Sequence, residues 1–219
     1  MPLHLYCLLA SGAEVTPPAR IPAIVQLETD DLLAWASFTD DTRVSREGRR
    51  LAKRTLEHDQ VVADALTQGV TPMPATLADP YLNAAALLAD VHARADEIRS
   101  TLARIEGTVE MAVILTSRSS EAAAAAAVES PGRAYLERIR DLPSALAGYG
   151  DDVEARVGQF SLASNRRPDA GRLGLSHLVR RNDVAAYRSA VLAGVSPAVR
   201  LVVDGPRAPY SFAAFSPNP

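Results

Sequence analysis

The basic residues between positions 43 and 54 form a dense charged cluster. Six positive charges fall within 12 residues, opposed inside that window only by Glu47; they are Arg43, Arg46, Arg49, Arg50, Lys53 and Arg54. A helix is expected to begin here, and positive charge in a first turn opposes the helix dipole. Two interpretations stay open, a solvated helix face and a patch that docks an acidic protein surface. The candidate patch residues are Arg46, Arg49, Arg50 and Arg54.

The other polar residues form no recognisable catalytic or metal-binding motif. The sequence lacks a glycine-rich phosphate loop, a dinucleotide fingerprint and Cys/His ligand spacing. Ser176 comes closest to a nucleophile, but its segment is typical of a strand interior. His58 is expected to be a hydrogen-bonded core histidine. His92 and Asp96 lie one helical turn apart, and two ligands do not close a metal site. We predict no catalytic residue, no cofactor and no metal.

Glu110 is an unusual carboxylate for its position. It alternates with Val109 and Met111 in a segment that is otherwise apolar on both faces. A buried charge needs a compensating partner, because desolvation disfavours it strongly. We therefore expect Glu110 to meet an arginine or to lie at an interface.

The first 79 residues have the pattern of a small α/β unit. Apolar runs predict strands at 3–9, 23–27 and 32–38. A helix is predicted to start near Ser45 and to end at Gly69. Two prolines in residues 71–76 suit a sheet edge or a loop better than a central strand.

A regular apolar stripe follows between Tyr81 and Ile105. Its steps alternate between three and four residues, which predicts one long helix over 80–106 that links the two halves of the chain. Packing within the chain and a dimerising coiled coil both remain open, although Arg94 and Arg99 would repel in a parallel pair. We place the domain boundary between 79 and 80.

The C-terminal half, residues 80–219, continues with alternating elements. Strands are predicted at 108–115, 173–179 and 198–203, with helices opening at Ser130 and at Val184 and a turn-rich loop at 165–171. The order is β-α-β-α-β. The expected fold class is therefore α+β, with two α/β units.

The C-terminal segment is predicted to be docked, since free termini are normally polar. Gly205 and Pro206 are expected to end the last strand with a turn. Pro209 should keep the chain extended, so that Tyr210 and Phe212 point the same way. We expect Tyr210 to pin the segment to its own domain through a hydrogen-bonded hydroxyl. The candidates for a partner surface are Pro209, Tyr210, Phe212 and Phe215.

Composition limits the class of protein. The chain has 219 residues and a net charge of −3, which argues against general binding to nucleic acid or anionic membranes. Cys7 is the only cysteine, so an intramolecular disulfide is impossible. The N-terminus lacks the basic residues of a signal peptide, which predicts a cytoplasmic protein.

Four segments in matching order resemble the gas vesicle protein F/L family. Residues 205–212, Gly-Pro-Arg-Ala-Pro-Tyr-Ser-Phe, are similar to the family's Gly-Pro-Trp-Pro-Pro-Tyr-Ser-Phe ending. Residues 132–136 and 109–113 resemble its Gly-Arg-Ala-Tyr-Leu helix opening and its Val-Glu-Trp-Gly-Val strand, and His58 with Val61 matches its His-x-x-Val helix. Ile114 and Arg207 depart from the family pattern, as do residues 71–76.

The resemblance implies a fold and a function. The C-terminal unit would be a modified ferredoxin-like domain with added helices. The protein would be a non-enzymatic minor structural or assembly protein that contacts the major gas vesicle shell protein and other accessory vesicle proteins. It would lie at the gas-facing side of the shell. The alternative is a ferredoxin-like module that binds a small ligand or has a regulatory role.

Overall fold

The chain folds into two α+β units. The computed structural model describes residues 1–19, 24–40, 43, 48–117, 146–169 and 171–218. One unit, here the terminal unit, consists of Met1–Thr108 together with Arg207–Pro219; the other, here the inserted unit, is Val109–Pro206. Residues 80–108 therefore group with the N-terminal residues, whereas the sequence analysis placed them after the domain boundary.

The terminal unit contains a four-stranded sheet and three longer helices among its described residues. Its elements are β1 Leu3–Ala10, β2 Ile24–Thr29, β3 Leu32–Phe38, α1 Gly48–Thr67, β4 Met73–Pro74, α2 Ala84–Ala93 and α3 Ala95–Ile105. The strand order is β2-β3-β1-β4 with antiparallel pairing. The three predicted strands are confirmed, and β4 is a two-residue edge strand. The predicted helix start at Ser45 lies outside the described residues.

A bulge in β1 assigns its side chains to two hydrophobic cores. The register between β1 and β3 shifts between Leu5 and Cys7, so the strict alternation of side chains is interrupted there. Leu3, Leu5 and Leu8 pack with α2 and α3, whereas Tyr6, Cys7 and Leu9 pack with α1. The sheet is consequently covered by helices on both faces.

A tight turn joins β2 to β3. Asp30 and Asp31 have φ angles of 50° and 60°, which is the backbone of a two-residue type I′ hairpin turn. The side chain of His92 binds the Asp30 carboxylate, and Arg99 Nη2 donates to the Asp30 carbonyl oxygen at 2.9 Å. The turn is thus held by α2 and α3.

The single helix predicted over 80–106 is wrong. Tyr81 forms a β-bridge with Leu3, the side chain of Asn83 caps α2 by accepting from the Ala86 amide at 2.9 Å, and the helical stretch breaks at Arg94. The apolar stripe is continuous across the break because both helices pack on the same face of the sheet. The stripe is buried within the terminal unit, which confirms the intramolecular interpretation.

The inserted unit has a second four-stranded antiparallel sheet, in the order β6-β7-β5-β8. Its elements are β5 Thr108–Ser117, helix α4 at 146–157, β6 Ser161–Asp169, β7 Arg172–Arg180, α5 Val184–Leu192 and β8 Val199–Arg207. The loop predicted at 165–171 is wrong, because β6 continues to Asp169 and pairs with β7 as a hairpin. The helix predicted to open at Ser130 lies outside the described residues.

The predicted turn at Gly205 is also wrong. Gly205 and Pro206 lie inside β8. Gly205 has φ of +110°, and a Cβ atom there would stand 2.7 Å from the Glu110 carbonyl oxygen. Only glycine can be accommodated where the two backbones approach so closely. Gly205 therefore allows β8 to pack against the backbone of Glu110, and it does not end the strand.

Candidate functional site

A cavity of about 380 Å³ opens beside the first turns of α1. Arg50, Lys53, Arg54 and Glu57 line it from the helix. Their spacing of three and four residues places them on one helix face. Among the described residues that line the cavity, three cations therefore oppose one carboxylate.

Hydroxyl groups from β1 and from the end of β3 line the cavity opposite α1. The Tyr6 and Ser37 hydroxyl oxygens are 3.0 Å apart, and the Tyr6 hydroxyl also points at Glu57 Oε1, at 3.5 Å. Arg54 Nη2 donates to Thr39 Oγ1 at 3.2 Å. These bonds fix one cation and three hydroxyl-bearing side chains around the cavity.

Two buried histidines connect the cavity to β4. His58 Nε2 lies 2.9 Å from the Ala75 carbonyl oxygen, and His58 Nδ1 lies 3.0 Å from His4 Nε2. Because a carbonyl oxygen only accepts, His58 carries its proton on Nε2, and its Nδ1 accepts from the His4 Nε2–H. This confirms the prediction that His58 is a hydrogen-bonded core histidine.

Both histidines are neutral in this arrangement. Burial lowers the pKa of His4 to about 3, and repulsion from His58 and Arg54 adds to the shift. Burial also lowers the pKa of His58, although its bond to Ala75 and the charge of Asp59 act in the opposite direction. Burial raises the pKa of Tyr6, so its hydroxyl keeps its proton. The cavity is thus positive on its helix side and neutral on its strand side.

The structure divides the predicted basic cluster. Arg50 and Arg54 line the cavity with Lys53, whereas Arg49 is exposed on α1 and does not line it. Arg46 lies outside the described residues. The cavity residues His4, Tyr6 and Ser37 were missed by sequence reasoning. The available signal was the pair His4 and Tyr6, two polar residues two apart in an otherwise apolar strand.

Tyr210 pins the C-terminal segment, as predicted. Its hydroxyl donates to Asp59 Oδ1 at 3.0 Å, and burial together with the Asp59 charge raises its pKa. Asp59 belongs to α1, so the segment is held by the terminal unit and not by the C-terminal half of the chain. The expected extended conformation is wrong. Residues Tyr210–Ala213 form a short helix, α6, that starts after the buried Pro209, and residues two apart in a helix point in different directions.

Phe215 is buried and belongs to the core of the terminal unit. Its amide donates to the Pro74 carbonyl oxygen at 2.7 Å, and its carbonyl oxygen accepts from the Thr76 amide at 2.7 Å. The guanidinium of Arg94 stands 3.8 Å from its ring centroid, a cation–π contact. Phe215 is 2% exposed, which corrects its assignment to a partner surface. Phe212 is half-buried.

Glu110 finds its partner inside the inserted unit. The carboxylate is fully buried, and the Ser176 hydroxyl donates to Glu110 Oε1 at 3.0 Å. The Ser176 hydroxyl is thus one compensating partner of this carboxylate, and the expected arginine or interface stays a prediction. Ser176 has a structural role as the donor to this carboxylate.

His92 and Asp96 do not share a site. His92 binds Asp30, and Asp96 pairs with Arg99 at 2.7 Å. Across the described ranges, no group of three or more His, Cys, Asp or Glu side chains is placed to hold a metal. None of the described helices is both long and apolar enough to span a membrane.

Fold and site together define an α+β protein with two four-stranded antiparallel sheets and a basic cavity in the terminal unit. The family model described as "Gas vesicle synthesis protein GvpL/GvpF" matches residues 2–214. The chain belongs to the GvpL/GvpF family of gas vesicle synthesis proteins.

Two solved structures share this fold. The crystal structure of the gas vesicle protein GvpF from Anabaena sp. PCC7120 has a TM-score of 0.75 at 14% identity, covering 98% of this chain and 97% of that one. The GvpF structure from Microcystis aeruginosa has a TM-score of 0.71 at 13% identity, covering 97% and 98%. A search among curated proteins finds no match.

The neutral histidine pair predicts that the terminal unit loses stability in mild acid. The unfolded chain binds protons near the ordinary histidine pKa of about 6.5, whereas folded His4 binds them only near pH 3. Stability is therefore full above pH 6.5 and falls as the pH drops below it. The loss from His4 is about 1.4 kcal/mol between pH 7.5 and 5.5.

Urea unfolding at these two pH values measures this loss. His4→Gln keeps a donor for His58 and should show a smaller loss than the parent. His92→Gln makes the same change at a largely exposed side chain and should retain the His4 contribution. Equal losses in the parent and in His4→Gln would contradict the assignment.

The buried tail predicts that Phe215→Ala destabilises the terminal unit. Truncating a buried phenylalanine costs about 3–5 kcal/mol in free energy of unfolding. Phe212→Ala removes the same atoms at a half-buried site and should cost less. Chemical denaturation of both variants compares the two positions, and equal effects would show that Phe215 does not anchor the segment.

Proposed function

We propose that this chain is a non-enzymatic minor structural or assembly protein that acts during gas vesicle formation. The observation that carries the proposal is the family match over residues 2–214, nearly the whole chain. The half-buried Ser176 donates to Glu110 from the interior of β7, which agrees with a protein that does not use this serine in catalysis.

The inserted unit is proposed to be a modified ferredoxin-like domain. Its described elements run β5, α4, β6, β7, α5 and β8, and the sheet order is β6-β7-β5-β8. If the four strands are renumbered 1 to 4 along the unit, their order in the sheet is 2-3-1-4. Read from the opposite edge of the sheet, this is 4-1-3-2, the strand order of the split β-α-β, or ferredoxin-like, fold. Such a domain offers a rigid sheet on which partner-binding side chains can be presented.

The proposed partners are the major gas vesicle shell protein and other accessory vesicle proteins. The proposed location is the cytoplasm and then the gas-facing side of the shell. The family match over residues 2–214 is the support for these partners.

The proposed docking surface includes the basic start of α1. Arg49, Arg50 and Arg54 lie within its first two turns, and Arg46 precedes it. Exposed charges of one sign steer a partner of opposite sign and set the salt dependence of capture. An acidic surface on a vesicle protein is the complementary target.

Deletion of the gene in the organism that carries it tests the function. We expect the deletion strain to lose gas vesicles in electron micrographs, and the wild-type gene to restore them. Phe212→Ala should restore fewer vesicles while its melting temperature stays near that of the parent, because the half-buried ring is available to a partner. Normal vesicles in the deletion strain would refute the proposal.

The docking surface has its own prediction. Arg46→Glu combined with Arg49→Glu should weaken capture of the shell protein and reduce the salt dependence of capture, because salt screens attraction between opposite charges. Arg172→Glu combined with Arg180→Glu makes the same change in net charge on exposed residues of β7 and should capture like the parent. Equal weakening by both pairs would show that only the total charge matters.

A further inference from the structure

The proposed docking surface shares Arg50 and Arg54 with the cavity of the terminal unit but does not account for the other residues that line it. We propose that this cavity binds the phosphate group of a small phosphorylated molecule, held by Arg50, Lys53 and Arg54. The organic part of the ligand would lie against Phe38, and a ligand hydroxyl or amine would donate to Glu57. All five residues line the cavity.

The number of cations favours phosphate over a carboxylate. Three cationic side chains line the cavity from one face of α1. A phosphate ester carries a charge of about −1.5 to −2 at pH 7 and offers three acceptor oxygens, so it can engage all three cations. A carboxylate offers two oxygens and a single charge. The lowered pKa of His4, to which Arg54 contributes, is consistent with positive potential inside the cavity.

The donors are partly positioned before any ligand binds. Arg54 is half-buried and oriented by its bond to Thr39. Tyr6 is 2% exposed, and its hydroxyl is fixed between Ser37 and Glu57. Guanidinium groups suit phosphate because their parallel N–H donors match its oxygens, while Lys53 adds a mobile point charge. Arg54 and the Tyr6 hydroxyl are therefore pre-positioned, while Arg50 and Lys53 line the cavity as exposed side chains.

The size of the cavity indicates an organic phosphate ester. Its volume of about 380 Å³ falls within the range of about 300–1,000 Å³ that is typical of small-molecule sites. Inorganic phosphate would fill only part of it. Phe38 is 42% exposed and supplies an apolar surface for a sugar or a base. The chemical class is therefore a sugar phosphate or a nucleotide.

Titration of the full chain tests the site. The probes are inorganic phosphate, glucose 6-phosphate and adenosine 5′-monophosphate, with glucose, adenosine and sodium chloride at matched ionic strength as controls. We expect saturable binding by calorimetry and a rise in melting temperature with at least one of the two esters, which should bind more tightly than inorganic phosphate. The unphosphorylated controls should not bind.

Charge-neutralising variants locate the binding. Arg50→Gln and Lys53→Gln should each weaken the ester about tenfold, or about 1.4 kcal/mol. Arg49→Gln removes the same charge from an exposed residue outside the cavity and should leave the affinity unchanged. Unshifted melting temperatures without ligand would show that the variants fold.

Three results would overturn the proposal. The first is that neither ester binds saturably with a dissociation constant below about 10 mM, which corresponds to a binding free energy of roughly −3 kcal/mol. The second is an equal loss of affinity in Arg49→Gln, which would indicate general charge attraction. The third is binding of an acidic peptide, weakened by Arg50→Gln, without binding of the esters. That result would assign the cavity to a protein partner.

Discussion

The C-terminal segment is joined to the edge of β4 by backbone hydrogen bonds, and the terminal unit depends on that pairing. Phe215 adds to the edge of β4 through the Pro74 carbonyl and the Thr76 amide. A two-residue edge strand has few bonds of its own, so a segment that covers its free edge stabilises it and removes an edge open to aggregation. The Phe215 ring also completes the core formed by β1, α2 and α3.

The same short stretch connects the tail to the cavity. Between Pro74 and Thr76, the Ala75 carbonyl oxygen accepts from His58, and His58 accepts from His4. His4 in turn lines the cavity with Tyr6. The Tyr210 hydroxyl binds Asp59, the residue after His58. Hydrogen bonds thus run from the tail through the edge strand to the histidine pair, and the edge-to-face contact between the His4 and Tyr6 rings continues them to the cavity.

Sequence patterns predicted what depends on local periodicity. The strands at 3–9 and 32–38 and the core histidine His58 follow from alternation and from helical spacing. The family resemblance, read from short motifs, is confirmed by the match over residues 2–214. The predicted docking of the tail by Tyr210 is also confirmed, because an aromatic hydroxyl in an otherwise apolar terminus needs a partner.

The features that sequence reasoning missed arise from tertiary contacts. The bulge at Tyr6 adds one residue to β1 and leaves the apolar pattern intact. The break at Arg94 falls inside a regular apolar stripe, so the pattern gives no sign of it; the Arg94 side chain contacts Asp90 and Phe215. The cavity combines residues from β1, β3 and α1, which lie far apart along the chain. Proline and aromatic residues in the tail indicated that the tail is docked. They did not indicate that it docks on α1 and on the edge of β4.

The terminal unit combines two segments that lie far apart along the chain, and this has a consequence for its synthesis on the ribosome. Because Arg207–Pro219 belongs to the same unit as Met1–Thr108, that unit cannot be completed while the C-terminal residues remain in the exit tunnel. Residues 109–206 form a unit of their own and can fold earlier, since domains generally fold as units during synthesis. A ribosome that stops early would release a chain whose β4 edge lacks Phe215. Such incomplete products would expose an open sheet edge to chaperones and proteases.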